Sequence, residues 1–340
     1  MAVEKVTRKD VAREAGVSET IVSYVLNNNR YVSSEKRRQV LAAVKKLGYK
    51  PNPAARALKG KRINQIIFIA DQIVTEHFSL LLSEMDKRAY DLGYMITLCQ
   101  NRNTQTFVNS IIARQYDGVI ISSISFSKDY IRQLIDSGIP VVLLENRDYS
   151  DIEGAGKINN GLYNGARQCV QYLASLNRRN IIYIDRFSQR GHFSDWNDMR
   201  YRGFVDEMKA ENLCEDPLNN FISHCTCMEE VTEKVKQYLH VHETVDAIFG
   251  RNDRMACIAM QAAQQLGKKV PEDIAVIGFD NSTLSQFCTP PITSMAIQRD
   301  LIAVSAINML QTMICDHVIP KEDVYPTKLI VRQSTNIRQK

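Results

Sequence analysis

The strongest constraint on the fold is the alternation of apolar segments with amphipathic helical segments from Ile63 onward. The predicted strands are 66–70, 94–98, 117–122, 139–145, 181–185, 247–250, 275–280 and 328–334. The predicted helices are 78–92, 104–115, 127–137, 161–175, 197–210, 228–239, 254–265 and about 300–315. Continuously apolar strands joined by helices are typical of an α/β fold in which helices cover both faces of a parallel sheet. Because the series occurs twice, we predict two doubly wound lobes with a ligand cleft at the carboxyl ends of their strands.

The segment before this body, residues 6–27, predicts two short helices joined by a tight turn. Thr7 and Asp10 have the spacing of a capping box at the start of the first helix. Gly16 can adopt the positive φ of a helix end, and Ser18 can cap the second helix. Apolar residues fall on matching faces of the two helices: Val11, Ala12, Ala15, Val17, Val22, Val25 and Leu26.

The opposite face of the second helix carries small polar groups and one tyrosine: Glu19, Thr20, Ser23 and Tyr24. A helix of this kind, flanked by basic residues, suits the major groove of DNA. An ordinary amphipathic helix pair explains the pattern equally well by itself, because helix-turn-helix patterns are short and degenerate.

The distribution of charge favours the DNA interpretation. Residues 1–62 contain fifteen Lys and Arg against five Asp and Glu, whereas the remaining residues contain 28 against 33. A basic head on an acidic body is typical of a protein whose head binds a phosphate backbone.

A third helix and a short hinge complete the head. The helix is predicted at about 34–47, with Ser33 or Ser34 as its cap, Gly48 after its end, and an apolar face of Val40, Leu41, Val44 and Leu47. Two prolines then prevent a continuous helix, and Asn52 can begin a very short one over 54–59. Because so short a helix is not stable alone in water, we expect it to be disordered until something holds it, as in a switch.

These segments define the predicted domains. They are a helix-turn-helix headpiece at 1–50, a hinge helix and linker at 51–62, and a body at 63–340. In the body, we predict the first lobe at about 63–158 and 290–322, and the second lobe at about 159–289 and 323–340.

Two features indicate the cellular setting. Residues 1–20 lack the apolar core of a signal peptide, and no run of about 18 apolar residues occurs, so we expect a cytoplasmic protein with reduced cysteines. One cluster of metal-ligating residue types does not match the usual spacing of a structural zinc site, so we predict no metal: His224, Cys225, Cys227, His240 and His242.

The headpiece and hinge motifs, taken with the two-lobed body, resemble the LacI family of bacterial transcriptional regulators over essentially the whole chain. The motifs are VTRKDVAREAGVS at 6–18, VSYVLN at 22–27, VS at 32–33, LGYKPN at 47–52 and ARAL at 55–58. The resemblance implies a repressor that binds a pseudo-palindromic operator as a homodimer, dimerised through the body, including the helix 78–92. It also implies hinge helices that form against each other on DNA, with Leu58 wedged into the minor groove.

The resemblance assigns base-reading and backbone-positioning roles to particular residues. It gives the first role to Glu19, Thr20 and Tyr24, and the second to Thr7, Ser18, Ser23 and Asn27. Four more positions complete the implied DNA-binding set: Ser33, Asn52, Ala55 and Leu58. Most members of the family have arginine where this chain has Tyr24, and tyrosine cannot make the bidentate contact to guanine that arginine makes. Because the threonine usual at Ile21 is also missing, we predict half-sites that differ from the family's common core.

The same resemblance implies a small effector between the lobes. The matching positions are Ser122, Glu145, Asn159, Arg200, Asn252, Asp253 and Asp280. Asp71 and Phe78, near the mouth of the first lobe, are further candidates. Carboxylates, amides and an arginine at strand ends offer the paired donors and acceptors that suit a carbohydrate. A surface or capping role explains each residue equally well when it is taken alone. Trp196, the one tryptophan, is either a stacking platform for the effector or a half-buried core anchor.

Two other classes of function fit less well. The GAGK segment at 154–157 lacks the flanking residues of a phosphate-binding loop, and no dinucleotide-binding, nucleophile-elbow or HExxH motif occurs, so we predict neither an enzyme nor a cofactor. A sugar-binding transport receptor shares the predicted body, but it would have a signal peptide in place of the basic head.

Overall fold

The computed structural model describes residues 6–27, 30–50, 62–214 and 216–336. The chain divides into two units, Met1–Ile63 and Asn64–Lys340. The predicted hinge helix lies outside the described residues, and so do Asn52, Ala55 and Leu58. In the described part of the chain, no helix is both long and apolar enough to span a bilayer.

The described residues of the first unit form three helices, α1 (Arg8–Ala15), α2 (Glu19–Asn27) and α3 (Ser34–Leu47). The capping box is confirmed, because the Thr7 hydroxyl accepts from the Asp10 backbone N–H at 3.4 Å and the Asp10 carboxylate accepts from the Thr7 N–H at 2.9 Å. Gly16 ends α1 with a φ of +64°, which a side chain would disfavour.

Valines from all three helices form the core of this unit, with Val11, Val22 and Val40 fully buried. Two details of the prediction for α3 are wrong. Leu41 is 50% exposed, because it stands one residue beyond the narrow face that α1 and α2 cover. Ser33 occupies the capping position, but its hydroxyl makes no capping hydrogen bond.

The second unit contains the two predicted α/β lobes. The first sheet has the order β11-β5-β4-β3-β1-β2. Its strands are β1 (Gln65–Ala70), β2 (Met95–Gln100), β3 (Gly118–Ser122), β4 (Val141–Leu144), β5 (Gly156–Asn159) and β11 (Asp323–Val324). All of its strand pairs are parallel. The helices between its strands are α4 (Glu76–Asp91), α5 (Gln105–Arg114) and α6 (Lys128–Asp136). A fourth helix, α12 (Arg299–Asp316), comes later in the chain and packs on the same sheet.

The second sheet has the order β12-β10-β9-β8-β6-β7, and only β12 is antiparallel to its neighbour. Its strands are β6 (Ile181–Ile184), β7 (Phe221–Ile222), β8 (Ala247–Gly250), β9 (Ala275–Phe279), β10 (Thr293–Ala296) and β12 (Lys328–Ile330). The accompanying helices are α7 (Leu162–Ser175), α8 (Met199–Ala210), α9 (Met228–Val241), α10 (Asp253–Gln265) and α11 (Thr283–Phe287). The predicted doubly wound α/β class is therefore confirmed.

The chain crosses between the lobes at different places from those predicted. Strand β10 belongs to the second sheet, although 290–322 was assigned to the first lobe. Strand β11 belongs to the first sheet, although 323–340 was assigned to the second lobe. These two strands are only four and two residues long, so their alternation is too short to identify from the sequence.

A close approach of α7 and α8 gives a stability prediction. A Cβ atom added at Gly203 on α8 would lie 2.3 Å from the backbone oxygen of Tyr163 on α7. Because backbone atoms cannot move aside as a side chain can, we expect Gly203→Ala to lower the free energy of unfolding by about 1–3 kcal/mol. Urea unfolding followed by circular dichroism measures the change. Lys209→Ala, on an exposed position of the same helix, should stay within about 0.5 kcal/mol, and equal effects of the two variants would contradict the packing argument.

Candidate nucleic-acid interface and ligand cleft

The outward face of α2 is available for contact. Glu19 and Thr20 are exposed and Tyr24 is half-buried, whereas Val22 and Val25 pack into the core on the other side of the helix. Thr20 and Tyr24 are one helical turn apart and therefore share a face. Ser23 lies beside them and is half-buried.

Most of the predicted backbone-positioning residues lie at or next to helix ends. Thr7, Ser18 and Ser33 are exposed at or next to helix starts. The Ser18 hydroxyl accepts from the Ile21 N–H at 3.4 Å, and Thr7 is engaged in its capping box. Asn27 is the last residue of α2, and its side chain lies outside what the structure describes. The first backbone amides of α1 and α2 are thus presented at exposed, polar helix starts, a geometry that suits phosphate oxygens.

Arg30 is a residue that the sequence analysis missed. Its guanidinium carbon lies 5.3 Å from the centroid of the Tyr24 ring, within the range of a cation–π contact. It follows α2 in the irregular segment before α3, where no periodic pattern distinguishes an arginine that stacks from one that points into solvent.

In the second unit, a cleft of about 370 Å³ lies between the lobes. It is found where each sheet reverses its strand order, between β1 and β3 in one lobe and between β6 and β8 in the other. Such switch points are where open α/β sheets bind ligands. Six of the ten predicted effector residues line the cleft: Asp71, Phe78, Arg200, Asn252, Asp253 and Asp280.

A buried ion pair joins two of these residues. The Arg200 guanidinium donates to the Asp280 carboxylate at 3.0 Å and to the Arg251 backbone oxygen at 2.8 Å. It also lies 4.6 Å from the centroid of the Phe279 ring. Burial by itself would raise the pKa of Asp280, but the nearby charges, that of Arg200 first, hold this pKa below its usual value. The pair therefore presents a fixed carboxylate and a fixed guanidinium to the cleft.

Asp71 presents a second carboxylate, from the end of β1. Its oxygens accept from the Ser125 hydroxyl at 2.7 Å and from the Ile124 N–H at 2.9 Å, and also from the Ser123 hydroxyl. Across the cleft, Arg186 Nη1 lies 3.8 Å from Asp71 Oδ2. The pKa of Asp71 is lowered, because the charge of Arg186 and these hydrogen bonds outweigh burial.

Asn252 and Asp253 begin α10 at the second-lobe wall. The Asn252 side-chain oxygen accepts from the Met255 N–H at 3.0 Å and so caps the helix. The Asp253 carboxylate accepts from the Ser282 hydroxyl at 2.8 Å. Burial and the neighbouring charge of Asp280 raise the pKa of Asp253 to about 7, although its hydrogen bonds act in the opposite direction.

Four predicted effector residues lie outside the cleft lining. The Ser122 hydroxyl is fully buried and accepts from Asn146 Nδ2 at 2.8 Å, so Asn146 faces the cleft in its place. The Asn159 side-chain oxygen accepts from the Gly161 N–H at 3.0 Å and borders a separate groove. Glu145 lies near Glu322, and burial, with the charge of Glu322, raises the pKa of Glu145 to about 7.

Trp196 is the fourth predicted effector residue outside the cleft lining. It is 52% exposed, and the Arg202 guanidinium carbon lies 5.7 Å from its ring centroid. A side chain this exposed is not a core anchor, and Trp196 does not line the cleft, where a stacking platform for the effector would have to lie.

Strand order explains the position of Asn159, because β5 lies beyond β4 on the far side of β3 from the switch point. Glu145 and Asn146 both follow β4, but only Asn146 lines the cleft, whereas Glu145 lies near Glu322.

Several cleft residues escaped the sequence analysis, and some of them are ionisable. Beside Asn146, those that carry the electrostatics are Glu76, His77, Arg186, Arg251 and Arg254. Burial, with nearby arginines, lowers the pKa of His77 to about 4. Arg251 directly follows β8 and Arg186 is the second residue after β6, so the rule that carboxyl ends of strands face the cleft could have identified both.

Arg251 is held by Asp198, which begins α8. Arg251 Nη2 donates to Asp198 Oδ2 at 2.6 Å, and Asp198 also caps α8 by accepting from the Arg200 N–H at 3.0 Å. The Asp198 side chain is 1% exposed. Burial opposes its ionisation, but the charges of Arg251 and Arg186 lower the pKa of Asp198 to about 2. Among the described residues, no three His, Cys, Asp or Glu side chains are placed to share a metal ion.

Two family models match the chain. The one described as bacterial regulatory proteins of the lacI family matches residues 7–52, and the periplasmic binding protein-like domain matches residues 170–335. The HTH-type transcriptional repressor PurR of Histophilus somni is 30% identical over 338 residues, which cover 96% of this chain and 98% of that protein. The protein of the same description from Pectobacterium atrosepticum is 30% identical over 343 residues, which cover 96% of each.

Solved structures give the same fold. The lac repressor dimer bound to operator and the anti-inducer ONPF has a TM-score of 0.81 at 24% identity, over 98% of this chain and 99% of that chain. A periplasmic binding protein/LacI transcriptional regulator from Alkaliphilus metalliredigens, complexed with D-xylulofuranose, has a TM-score of 0.65 at 25% identity. That match covers 81% of this chain and 100% of the other.

Proposed function

This chain belongs to the LacI family of bacterial regulatory proteins, and we propose from this membership that it is a transcriptional repressor that binds operator DNA as a homodimer under control of a small effector. The observation that carries the proposal is the exposed polar face of α2 on a strongly basic headpiece. We assign the headpiece to 1–50, the hinge to 51–62 and the effector-binding and dimerisation body to 63–340. The proposed place of action is the cytoplasm, where bacterial DNA lies.

The proposed operator is pseudo-palindromic, because two copies of one chain related by a twofold axis read two equivalent half-sites. In each half-site, Glu19, Thr20 and Tyr24 read bases, while Thr7, Ser18, Ser23, Asn27 and Ser33 position the headpiece on the backbone. The proposal extends to the hinge, where Asn52 and Ala55 bind DNA and Leu58 enters the minor groove. Because Tyr24 and Ile21 replace the usual residues, the operator should not contain the family's common core, and recovery of that core by selection would contradict this point.

The proposed effector is a carbohydrate or a carbohydrate derivative. Asp71 with Arg186, and Asp280 with Arg200, set acceptors beside donors on the cleft wall, and Phe78 adds an apolar surface. A polyol has hydroxyl groups that donate and accept at neighbouring positions, which matches such pairs. The relative whose structure contains D-xylulofuranose supports this class. A planar nucleobase is the competing ligand, since Phe78 and Phe187 both reach the cleft.

The effector would act by having different affinities for two arrangements of the lobes. Contacts across the cleft already connect them, since the Glu76 carboxylate on α4 accepts from the Thr283 hydroxyl at 2.7 Å and from its N–H at 2.8 Å on α11. A ligand that completes or disrupts such contacts changes the relative position of the lobes. Whether the effector strengthens or weakens operator binding then depends on which arrangement of the lobes lets the two hinges meet.

We expect operator binding to depend steeply on salt. If the basic headpieces make about six to ten phosphate contacts, the affinity should fall by about 10³- to 10⁵-fold between 50 and 200 mM salt. Gel shifts of the full chain with DNA selected by the protein itself, at several salt concentrations, measure this slope. The same assay with added sugars and nucleobases tests the effector. Sugar binding without any salt-sensitive DNA binding would favour a receptor-like protein and overturn the repressor proposal.

A further inference from the structure

Two cysteines of the second lobe lie in direct contact, although they are 31 residues apart in the chain. Cys257 lies on α10 and is buried, and Cys288 directly follows α11 and is half-buried. The Cys288 thiol donates a hydrogen bond to the Cys257 sulfur at 3.1 Å. A disulfide has its sulfur atoms about 2.05 Å apart, so bond formation requires the two sulfurs to approach by only about 1 Å. The two thiols are therefore placed to react with each other.

We propose that Cys257 and Cys288 are a modification site at which a small-molecule disulfide, such as oxidised glutathione, converts the two thiols reversibly into a disulfide that joins α10 to α11. The inference goes beyond the proposed function and does not rest on it, because both cysteines belong to one lobe and react whether or not the chain binds DNA. It agrees with the expectation of reduced cysteines, since disulfides in the cytosol are mostly transient or redox-sensing.

The chemistry is thiol–disulfide exchange in two steps. The thiolate of Cys288, the more exposed of the two residues, attacks one sulfur of the small disulfide, forms a mixed disulfide and releases one small thiolate. The Cys257 thiolate then attacks the Cys288 sulfur, forms the bond within the protein and releases the second small thiolate. The two protein thiols thereby lose two electrons to the small disulfide, and their two protons pass to the two released thiolates.

Burial and proximity act on this reaction in opposite directions. Burial, with the hydrogen bond to Cys257, raises the pKa of the Cys288 thiol to about 12, so little of the attacking thiolate is present at neutral pH. The first step is therefore slow. The second step joins sulfurs that are already in contact, so the mixed disulfide should not accumulate. Such a pair stays reduced during a brief exposure to the small disulfide and closes during a sustained one.

The new bond would fix one wall of the cleft. At the start of α11, the Asp253 carboxylate accepts from the Ser282 hydroxyl at 2.8 Å, and both residues line the cleft. The next residue, Thr283, makes the contact with Glu76 of the first lobe. A disulfide at the other end of α11 would leave this five-residue helix attached to α10 at both ends. Oxidation should therefore restrict the element that carries the contact across the cleft.

The experiment uses the full chain, first reduced and then incubated with oxidised glutathione at about pH 8.5, where more thiolate is present. Trypsin cleavage places the two cysteines in separate peptides, 255–268 and 270–299, which contain one cysteine each. After digestion without reductant, mass spectrometry should find these two peptides joined with the loss of two hydrogens, and dithiothreitol should separate them. The joined pair should exceed every other cross-link between cysteines by at least about tenfold, because its thiols begin in contact.

Two controls separate the pair from general thiol reactivity. Cys315 is exposed at the end of α12, so it should form an adduct with glutathione but no bond to either member of the pair. Cys257→Ser and Cys288→Ser should each abolish the joined peptides, and Cys288→Ser disturbs the packing less because Cys288 is only half-buried.

Hydrogen exchange tests the consequence for α11. Amides in 281–291 should exchange at least about threefold more slowly in the oxidised wild type than in the reduced wild type, because the bond hinders local opening of this segment. The same treatment of Cys288→Ser should produce no such difference.

Three results would overturn the inference. Glutathione on Cys315 without any joined peptides would mean that the sulfurs of the pair do not reach bonding distance. A lasting glutathione adduct on Cys288 would mean that Cys257 does not complete the exchange. Unchanged hydrogen exchange of 281–291 in a fully joined protein would mean that the bond does not restrict α11. None of these measurements involves DNA, so a failure of the proposed function is detected separately by the gel shifts.

Discussion

Replacing Arg251 by methionine is expected to lower the free energy of unfolding of the body by about 3–5 kcal/mol, because it leaves the Asp198 carboxylate buried without its main partner. The pair is close, with Nη2 and Oδ2 at 2.6 Å, and the Asp198 side chain is 1% exposed. Arg186 is the next cation, but its Nη2 lies 3.6 Å from Asp198 Oδ2, which is too far for a hydrogen bond. Chemical unfolding followed by circular dichroism measures the loss.

A second variant separates the missing partner from the missing side-chain volume. Adding Asp198→Asn to Arg251→Met removes the unpaired charge and should restore a large part of the stability, since the amide oxygen can still cap α8. Arg132→Met is the matched control, because Arg132 pairs with Asp129 and Asp151 at a side-chain exposure of 43%. It should cost less than about 1 kcal/mol. Equal losses for Arg251→Met and Arg132→Met would contradict the argument.

The same pair has a defined pH dependence. The pKa of Asp198 is lowered to about 2 in the folded protein from an ordinary value near 3.8. Its contribution to stability is therefore complete above about pH 4 and is lost as the pH falls toward 2. The difference in stability between wild type and Arg251→Met should accordingly shrink as the pH is lowered through this range. A difference that stays constant would mean that the two side chains do not interact in the folded state.

The sequence was sufficient for the architecture because long apolar strands and helical periodicity are local signals. The strands around Phe68, Ile120 and Ile248 contain continuous runs of buried apolar residues, which are typical of parallel strands covered on both faces. The wrong lobe assignments concern two short strands, β10 and β11, which contain too few residues to show a period. Their assignment to a sheet depends on contacts with strands far away in the chain.

The cleft was only partly predictable for a related reason. The positions that the family resemblance matched at strand ends included Asp71 and Asp280, which line the cleft, but also Asn159, which ends a strand on the far side of β3 from the switch point. Strand order is a tertiary property, so the sequence alone could not separate these cases. Arg186 and Arg251 lie at the carboxyl ends of strands, but the sequence analysis did not select them, because an arginine after a strand has the sequence appearance of an ordinary surface residue.

Tyr24→Ala is expected to have the largest effect on DNA binding. Loss of the ring should cost about 1–2 kcal/mol in each half-site, because the ring is one of the proposed base-reading groups. Because a homodimer carries the change twice, the affinity for the selected operator should fall by about 30- to 1000-fold. Quantitative gel shifts or fluorescence anisotropy with the full chain measure this ratio against unrelated DNA.

The control for this prediction removes another tyrosine from the same unit. Tyr31 is 94% exposed and lies outside α2, so Tyr31→Ala removes an equal side chain without altering the outward face of the recognition helix. It should leave the ratio of specific to non-specific affinity within about threefold, even if both affinities change together. A Tyr24→Ala protein with an unchanged ratio would mean that Tyr24 makes no specific base contact. In that case base reading by α2 would have to come from Glu19 and Thr20, or specificity from the sequence-dependent shape of the DNA.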